Sequence, residues 1–323
     1  MRIHAVNSLK MQKRAAVVAA GGLGDGLLMA IVAHNLKRAG YEVSFFHPLA
    51  EQLRALFSDY SIFPHPGREQ VEEALRSFSC IIVQNNHADY AHSLLRLAKK
   101  PPLKRAIFFH TLSRRLESNK SFSIDRSRPI AVQLAHACQQ LLNLKEPSIE
   151  NGLLVPKNRR YRRYYNRIVI HPTGSHPAKC WSEKKFLRLS HQLEALGFDV
   201  RFSVHASERA DWLAKVADSK KVPLLPDLEA LVALLYEASV VIGNDSGVGH
   251  LASNLRIPTM TIARNRTKIA FWRPGWHCGS VITPVTMIPN FKGWRLRDMH
   301  WEKWISVRRV CRLVTTFFSH DPT

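Results

Sequence analysis

At 323 residues, with 46% apolar and 22% charged residues, the chain has the composition of a folded protein and exceeds the size at which one core usually keeps growing, so two domains of roughly 150 residues are expected. Its 47 Lys and Arg against 25 Asp and Glu give a formal charge of +22, a positive field that would draw in nucleic acid, anionic lipid or acidic substrates alike. No helix-turn-helix pattern, paired Cys/His zinc spacing or RNP-type aromatic motif occurs, which argues against a specific nucleic-acid partner.

The start of the chain, residues 1–14, is polar and basic and does not read as a signal peptide. Residues 15–20 read as a buried strand and 25–39 as a helix stopped by Gly40, followed by a strand at 42–47 and a short helix at 48–57. The glycines at 21, 22, 24 and 26, with Asp25, break the apolar run 15–33 into strand, turn and helix, so it is not a membrane span. A strand at 80–84, a helix at about 88–98 and a strand at 105–109 continue the alternation. Residues 114–129 are polar and basic and read as a loop before a helix at 130–142.

Pro147, Gly152 and Pro156 then lead into the basic stretch 157–167, the expected linker. Beyond it come a strand at 168–170, a helix at 183–196, a strand at 199–204, helices at 208–216 and 228–237, a strand at 240–242, a helix at 248–255 and a strand at 259–262. Strands alternating with helices at this spacing imply right-handed βαβ units and parallel sheets. The expected architecture is α/β with two Rossmann-like domains, 1–156 and 157–323, holding ligands in the cleft at the strands' carboxyl ends. Five cysteines without a C-x-x-C pair point to reduced thiols in a cytosolic compartment.

Three turns carry candidate chemistry. Residues 241–252 run from an apolar strand through Asn244-Asp245-Ser246-Gly247 into a helix, a geometry that suits an anion because the first-turn N–H groups are unpaired and the helix dipole favours negative charge. Asp245 would repel a phosphate unless it bonds hydroxyls, as it would for a nucleotide joined to a sugar. Alternatively, Asp245 or Ser246 simply caps the helix. In the first half, Gly24-Asp25 presents a carboxylate after the first strand, either as a general base or as a helix cap. At the start of the second half, His171-Pro172-Thr173-Gly174-Ser175, with Lys179 and Trp181, offers hydroxyls, amides and a point charge to a diphosphate, or else is a plain surface turn.

In this order and spacing the three turns, with His250, resemble glycosyltransferase family 9, the ADP-heptose:lipopolysaccharide heptosyltransferases, over nearly the whole chain. The resemblance implies a GT-B fold, with two Rossmann-like domains facing each other across a cleft, the acceptor in the first and the donor in the second. It implies inverting, metal-independent transfer of heptose from ADP-heptose to the lipopolysaccharide inner core, without a cofactor, at the cytoplasmic face of the inner membrane. By position Asp25 is the implied base. Thr173, Gly174, Ser175 and Lys179 would hold the diphosphate, Glu208 the nucleoside, Asp245 the sugar hydroxyls, and Ser246, Gly247 and His250 the remaining phosphate and sugar contacts.

Arg114, Arg115, Lys120, Arg126 and Arg128 form the candidate contact to an acidic acceptor and an anionic membrane surface, or a solvated basic loop. The final helix, about 305–318, is expected to reach back to the first domain. Two positions depart from the family pattern: Ser246 stands where threonine is commoner, and Ala263-Arg264-Asn265-Arg266-Thr267 stands where Phe-Gly-Pro-Thr is usual. The second departure leaves open a transferase or epimerase using another nucleotide-sugar, alongside a binding protein without catalysis. The tryptophans at 272, 276, 294, 301 and 304 would serve packing, sugar stacking or a membrane surface.

Overall fold

The computed structural model describes residues 13–85, 89–98, 101–110, 125–285, 287 and 296–320. The first half contains β1 (Arg14–Val18), α1 (Leu23–Arg38), β2 (Glu42–Phe46), α2 (Ala50–Arg54), β3 (Ser61–Phe63), α3 (Val71–Leu75), β4 (Cys80–Asn85), α4 (Asp89–Leu97), β5 (Ile107–His110) and α5 (Ile130–Leu142). Its strands form a parallel sheet in the order β3-β2-β1-β4-β5. The second half contains β6 (Tyr164–His171), α6 (Glu183–Ala195), β7 (Asp199–Phe202), α7 (Arg209–Val216), α8 (Leu228–Tyr236), β8 (Ala238–Asn244), α9 (Gly247–Asn254), β9 (Thr259–Ile262), α10 (Arg266–Trp272), β10 (Gly279–Ile282), α11 (Leu296–Met299) and α12 (Val307–His320). Its parallel sheet runs β10-β9-β8-β6-β7. In each sheet the strand order reverses beside the half's first strand, between β1 and β4 and between β6 and β8. Such switch points open a crevice at the strands' carboxyl ends.

The strands are apolar on both faces because helices cover both. Along β1, Ala15 and Val17 pack toward α1 and α5, while Ala16 and Val18 pack toward Val71 and Leu75 of α3 and Leu94 of α4. In the second half, Ile168, Ile170, Phe202 and Ile242 meet Phe186 and Leu189 of α6 and Trp212 of α7. The cluster around α1 and α5 continues into α8, α9, Phe271 and Trp276, so the two halves share one apolar layer. Trp276 also donates its indole N–H to the Ile149 carbonyl at 2.8 Å, and Arg256 pairs with Glu150 beside it.

Several elements differ from the sequence expectation. β3, α3, α10 and β10 were not anticipated, being short segments of three to seven residues whose period is hard to read. β6 begins at Tyr164, inside the stretch expected as linker. Arg167 there is held by Asp199 of β7 at 2.8 Å, and the Ser239 hydroxyl donates to the Tyr164 and Tyr165 carbonyls. Arg159 and Arg163 lie 3.6 and 3.8 Å from the nearly buried carboxylate of Glu237, at the end of α8. The last helix, α12, was expected to reach the first half and instead packs on α6. Val310 and Val314 of its apolar face are fully buried in the second-half core. Among the described residues no helix is long and apolar enough to cross a membrane.

Trp276→Ala removes both the inter-half hydrogen bond and a buried indole, and its expected cost is about 3–5 kcal/mol of unfolding free energy in a urea titration. A loss below about 1 kcal/mol would show that Trp276 does not tie the halves together.

Candidate functional site

The chain leaves β1 through Gly21 and Gly22 and enters α1, which places Asp25 in the helix's first turn. Gln84, buried near the carboxyl end of β4 across the switch point, fixes both sides of this turn. Its Oε1 accepts from the Ala20 N–H at 2.8 Å, and its Nε2 donates to Asp25 Oδ1 at 2.6 Å. Burial raises the Asp25 pKa, while Gln84, the Gly22 backbone N–H and the Lys179 charge oppose that rise. His47 braces the turn from β2's end. Its Nδ1 accepts from the Leu49 N–H, leaving the Nε2 proton for the Gly22 carbonyl at 3.2 Å. Burial pushes the His47 pKa down to about 4, so the ring is neutral at physiological pH.

The second half repeats this device. Asn244, the last residue of β8, accepts the Trp181 N–H at 2.8 Å and donates to the Pro172 carbonyl at 2.8 Å, clamping the turn that follows β6. Behind that turn, Trp301 donates to the Ala178 carbonyl at 3.3 Å and Trp181 to the Ile305 carbonyl at 3.2 Å. Trp301 and Trp276 are therefore packing residues, each less than a tenth exposed. Lys179 ends a 3-10 turn, Pro177–Lys179, and is exposed, as are Gly174 and Ser175, with Thr173 half-buried.

Lys179 lowers the pKa of two carboxyls that burial raises, Asp25 from the first half and Asp245 from the second. One cation thus serves carboxyl groups from both sides of the cleft. Ser246, at the N-cap of α9, has its hydroxyl buried without a hydrogen-bond partner. Gly247 lies against α1: a Cβ added there would stand 2.8 Å from the Gly24 nitrogen and 2.9 Å from the Leu23 Cβ. A Cβ on Gly24 would in turn meet His250 Cδ2 at 3.3 Å and Gly247 Cα at 3.4 Å. The N-termini of α1 and α9 therefore touch, glycine against glycine.

His250 lies beneath this contact, edge-on to Trp276 with centroids 6.0 Å apart. Burial lowers its pKa to about 4, and a backbone hydrogen bond to Trp272 only partly opposes this. It is a neutral ring whose Nδ1 is buried and unpartnered. Glu208 closes a 3-10 turn, Ala206–Glu208, by accepting the His205 N–H at 3.0 Å. Its charge acts on His171 and Cys180, which puts it on the Lys179 side of the cleft. Arg126 and Arg128 are exposed near the start of α5, whereas Arg114, Arg115, Lys120 and Trp294 lie outside the described residues. Gln84 and His47 were missed as site residues, and Asn244 was named only as part of its turn, without its role as a clamp. The one signal for the two amides is a polar residue closing an otherwise apolar strand.

The glycosyltransferase family 9 (heptosyltransferase) model matches residues 77–278, more than half of the chain. The chain belongs to glycosyltransferase family 9. It is 30% identical over 114 residues to lipopolysaccharide heptosyltransferase 3 of Escherichia coli strain K12, an alignment covering 33% of each chain. The match thus spans about a third of that curated relative. Among solved structures, ADP-heptose lipopolysaccharide heptosyltransferase II of E. coli superposes with a TM-score of 0.68 at 18% identity, over 94% of this chain and 98% of that one. E. coli heptosyltransferase WaaC with ADP gives 0.66 at 16% identity, over 94% and 99%. The two facing sheets are therefore a GT-B fold.

Gln84→Leu removes a hydrogen bond that favours the Asp25 anion, so the carboxyl's midpoint, already above the ordinary 3.8, rises further. Carbon-13 NMR titration of Asp25 reads this directly, and an unchanged or lower midpoint would remove Gln84 from its control. Gly247→Ala puts a methyl group against the α1 backbone and is expected to cost about 1–3 kcal/mol in a denaturant titration. A neutral outcome would mean that the two helix ends are free to separate.

Proposed function

We propose that the chain is an inverting, metal-independent heptosyltransferase that moves heptose from ADP-heptose to the lipopolysaccharide inner core, at the anionic cytoplasmic surface of the inner membrane. The observation that carries this reading is the convergence of Asp25, Asp245 and Lys179 from the two halves on one cleft. Family membership supports it, as do the relatives, one solved with ADP and another named for ADP-heptose.

On this reading the acceptor hydroxyl attacks the anomeric carbon from the first-half side while the bond to the diphosphate oxygen breaks with its electron pair. ADP leaves, and the hydroxyl proton passes to the Asp25 carboxylate. Inversion follows because attack and departure occur on opposite faces of the carbon. A base works best with its pKa near the working pH, and burial moves Asp25 in that direction. Lys179, with the amides of the Thr173 to Ser175 turn, meets the charge growing on the diphosphate. Lys179 is a cation that the chain itself supplies there. Asp245 accepts from sugar hydroxyls, and the unpartnered Ser246 hydroxyl is available to the donor beside it. Contact between α1 and α9 limits water at the reacting carbon.

Asp25→Ala should abolish heptose transfer and leave ADP affinity near wild type, the pattern of a group that acts in the transition state. Lys179→Ala should weaken ADP binding by about ten- to a hundredfold in calorimetry. Full turnover by the first variant, or unchanged ADP affinity in the second, would refute the assigned role. In a thermal-shift screen of nucleotide-sugars, preferential stabilisation by a UDP- or GDP-sugar would replace ADP-heptose as the donor.

A further inference from the structure

Beside the Asp245 turn, β9 ends in a second turn whose charges have no internal use. Ile262, the last residue of β9, pairs in register with Asn244, the last of β8, so Ala263 and Arg264 leave the sheet next to Asp245 and Ser246. The turn has a defined conformation, because Asn265 caps α10 by accepting the Lys268 N–H at 3.0 Å while Ile269 and Phe271 are buried. Arg264, Arg266 and Lys268 remain exposed. Among the described residues, none of these three side chains has an ion pair or hydrogen-bond partner. The cation that acts on the Asp245 carboxyl is Lys179, not either arginine. The first turn of α10 also lacks an acidic residue, so Arg266 and Lys268 stand at the helix end whose dipole disfavours cations. Such a local conflict without internal compensation marks a place where function sets the sequence.

We propose that Arg264 and Arg266 form an anion subsite for a phosphate or carboxylate carried by the acceptor sugar chain. Guanidinium groups bind either anion through paired N–H bonds that a lysine cannot reproduce. The inference rests on the proposed transferase reading in one respect: the heptose of ADP-heptose is uncharged, so an anion beyond the donor's diphosphate belongs to the acceptor.

The test is calorimetric binding of deacylated lipopolysaccharide core oligosaccharide, without donor, to wild type, Arg264→Gln, Arg266→Gln and the double variant. Each is measured with the native oligosaccharide, a phosphatase-treated form and a carboxyl-reduced form. Each single variant should bind the native form about tenfold more weakly, with the Kd for ADP unchanged. One of the two treatments should lower wild-type affinity to that of the double variant while leaving the double variant unaffected, and the effective treatment identifies the anion. Native affinity unchanged in the variants, an equal loss on all three forms, or no binding of any form by wild type would each overturn the subsite. Because binding is read without turnover, intact discrimination alongside absent heptose transfer would remove the transferase reading and leave the subsite standing.

Discussion

The contact on which the cleft depends is the meeting of α1 and α9 at Gly24 and Gly247, where the backbone of one helix end fills the space a side chain would need on the other. Each helix N-terminus carries about half a positive charge, so bringing two together is unfavourable unless negative charge lies close by. The chain supplies it at both ends, with Asp25 inside the first turn of α1 and Asp245 two residues before α9 begins. Burial then penalises the two anions, and Lys179 offsets part of that penalty for both. The site is thus a balance of opposed charges that neither half holds by itself.

Precision in that balance comes from two buried amides at equivalent places. Gln84 and Asn244 each lie at or next to the end of the strand across the switch point, β4 beside β1 and β8 beside β6, and each reaches over the turn that follows the half's first strand. An amide offers donor and acceptor at once, so one side chain both pins the turn and orients what it presents. Gln84 orients Asp25 itself, whereas Asn244 fixes the frame that carries Lys179. A carboxylate at either place would add charge to a site already crowded with it, and an aliphatic residue would leave buried backbone groups unpaired.

Much of this was legible in the residues. Continuous apolar strands, glycine-stopped helices and their alternation gave the parallel α/β architecture, and the helix at Ile130–Leu142 and the strand at Thr259–Ile262 fall where periodicity places them. The segments that escaped are those whose stability is tertiary. β3 has three residues paired only to β2, and α10 is a seven-residue helix of about two turns held by the Asn265 cap and two buried side chains. At the site, the turns announced themselves through glycine, hydroxyl and carboxylate spacing. Their supports did not, because Gln84 lies 59 residues from Asp25, Asn244 lies 63 from Trp181, and no local pattern links such partners. The partnership of Gly24 with Gly247 is equally invisible until the two halves are assembled.

On the proposed reading, the same assembly explains how one carboxyl is prepared to take a proton. Before a donor arrives, Lys179 draws both Asp25 and Asp245 toward ionisation. On that reading, a diphosphate bound at the Lys179 turn would engage that cation and add negative charge, which would raise the Asp25 pKa further and strengthen it as a base while donor is present. Gln84 and the Gly22 N–H hold the carboxylate in place as this happens, so the gain in basicity costs no geometry. Asp245, facing sugar hydroxyls on the proposed reading, gains hydrogen-bond donors in the same step, which favour its anion. Two aspartates with like burial thus acquire different roles from what each faces once the cleft is filled.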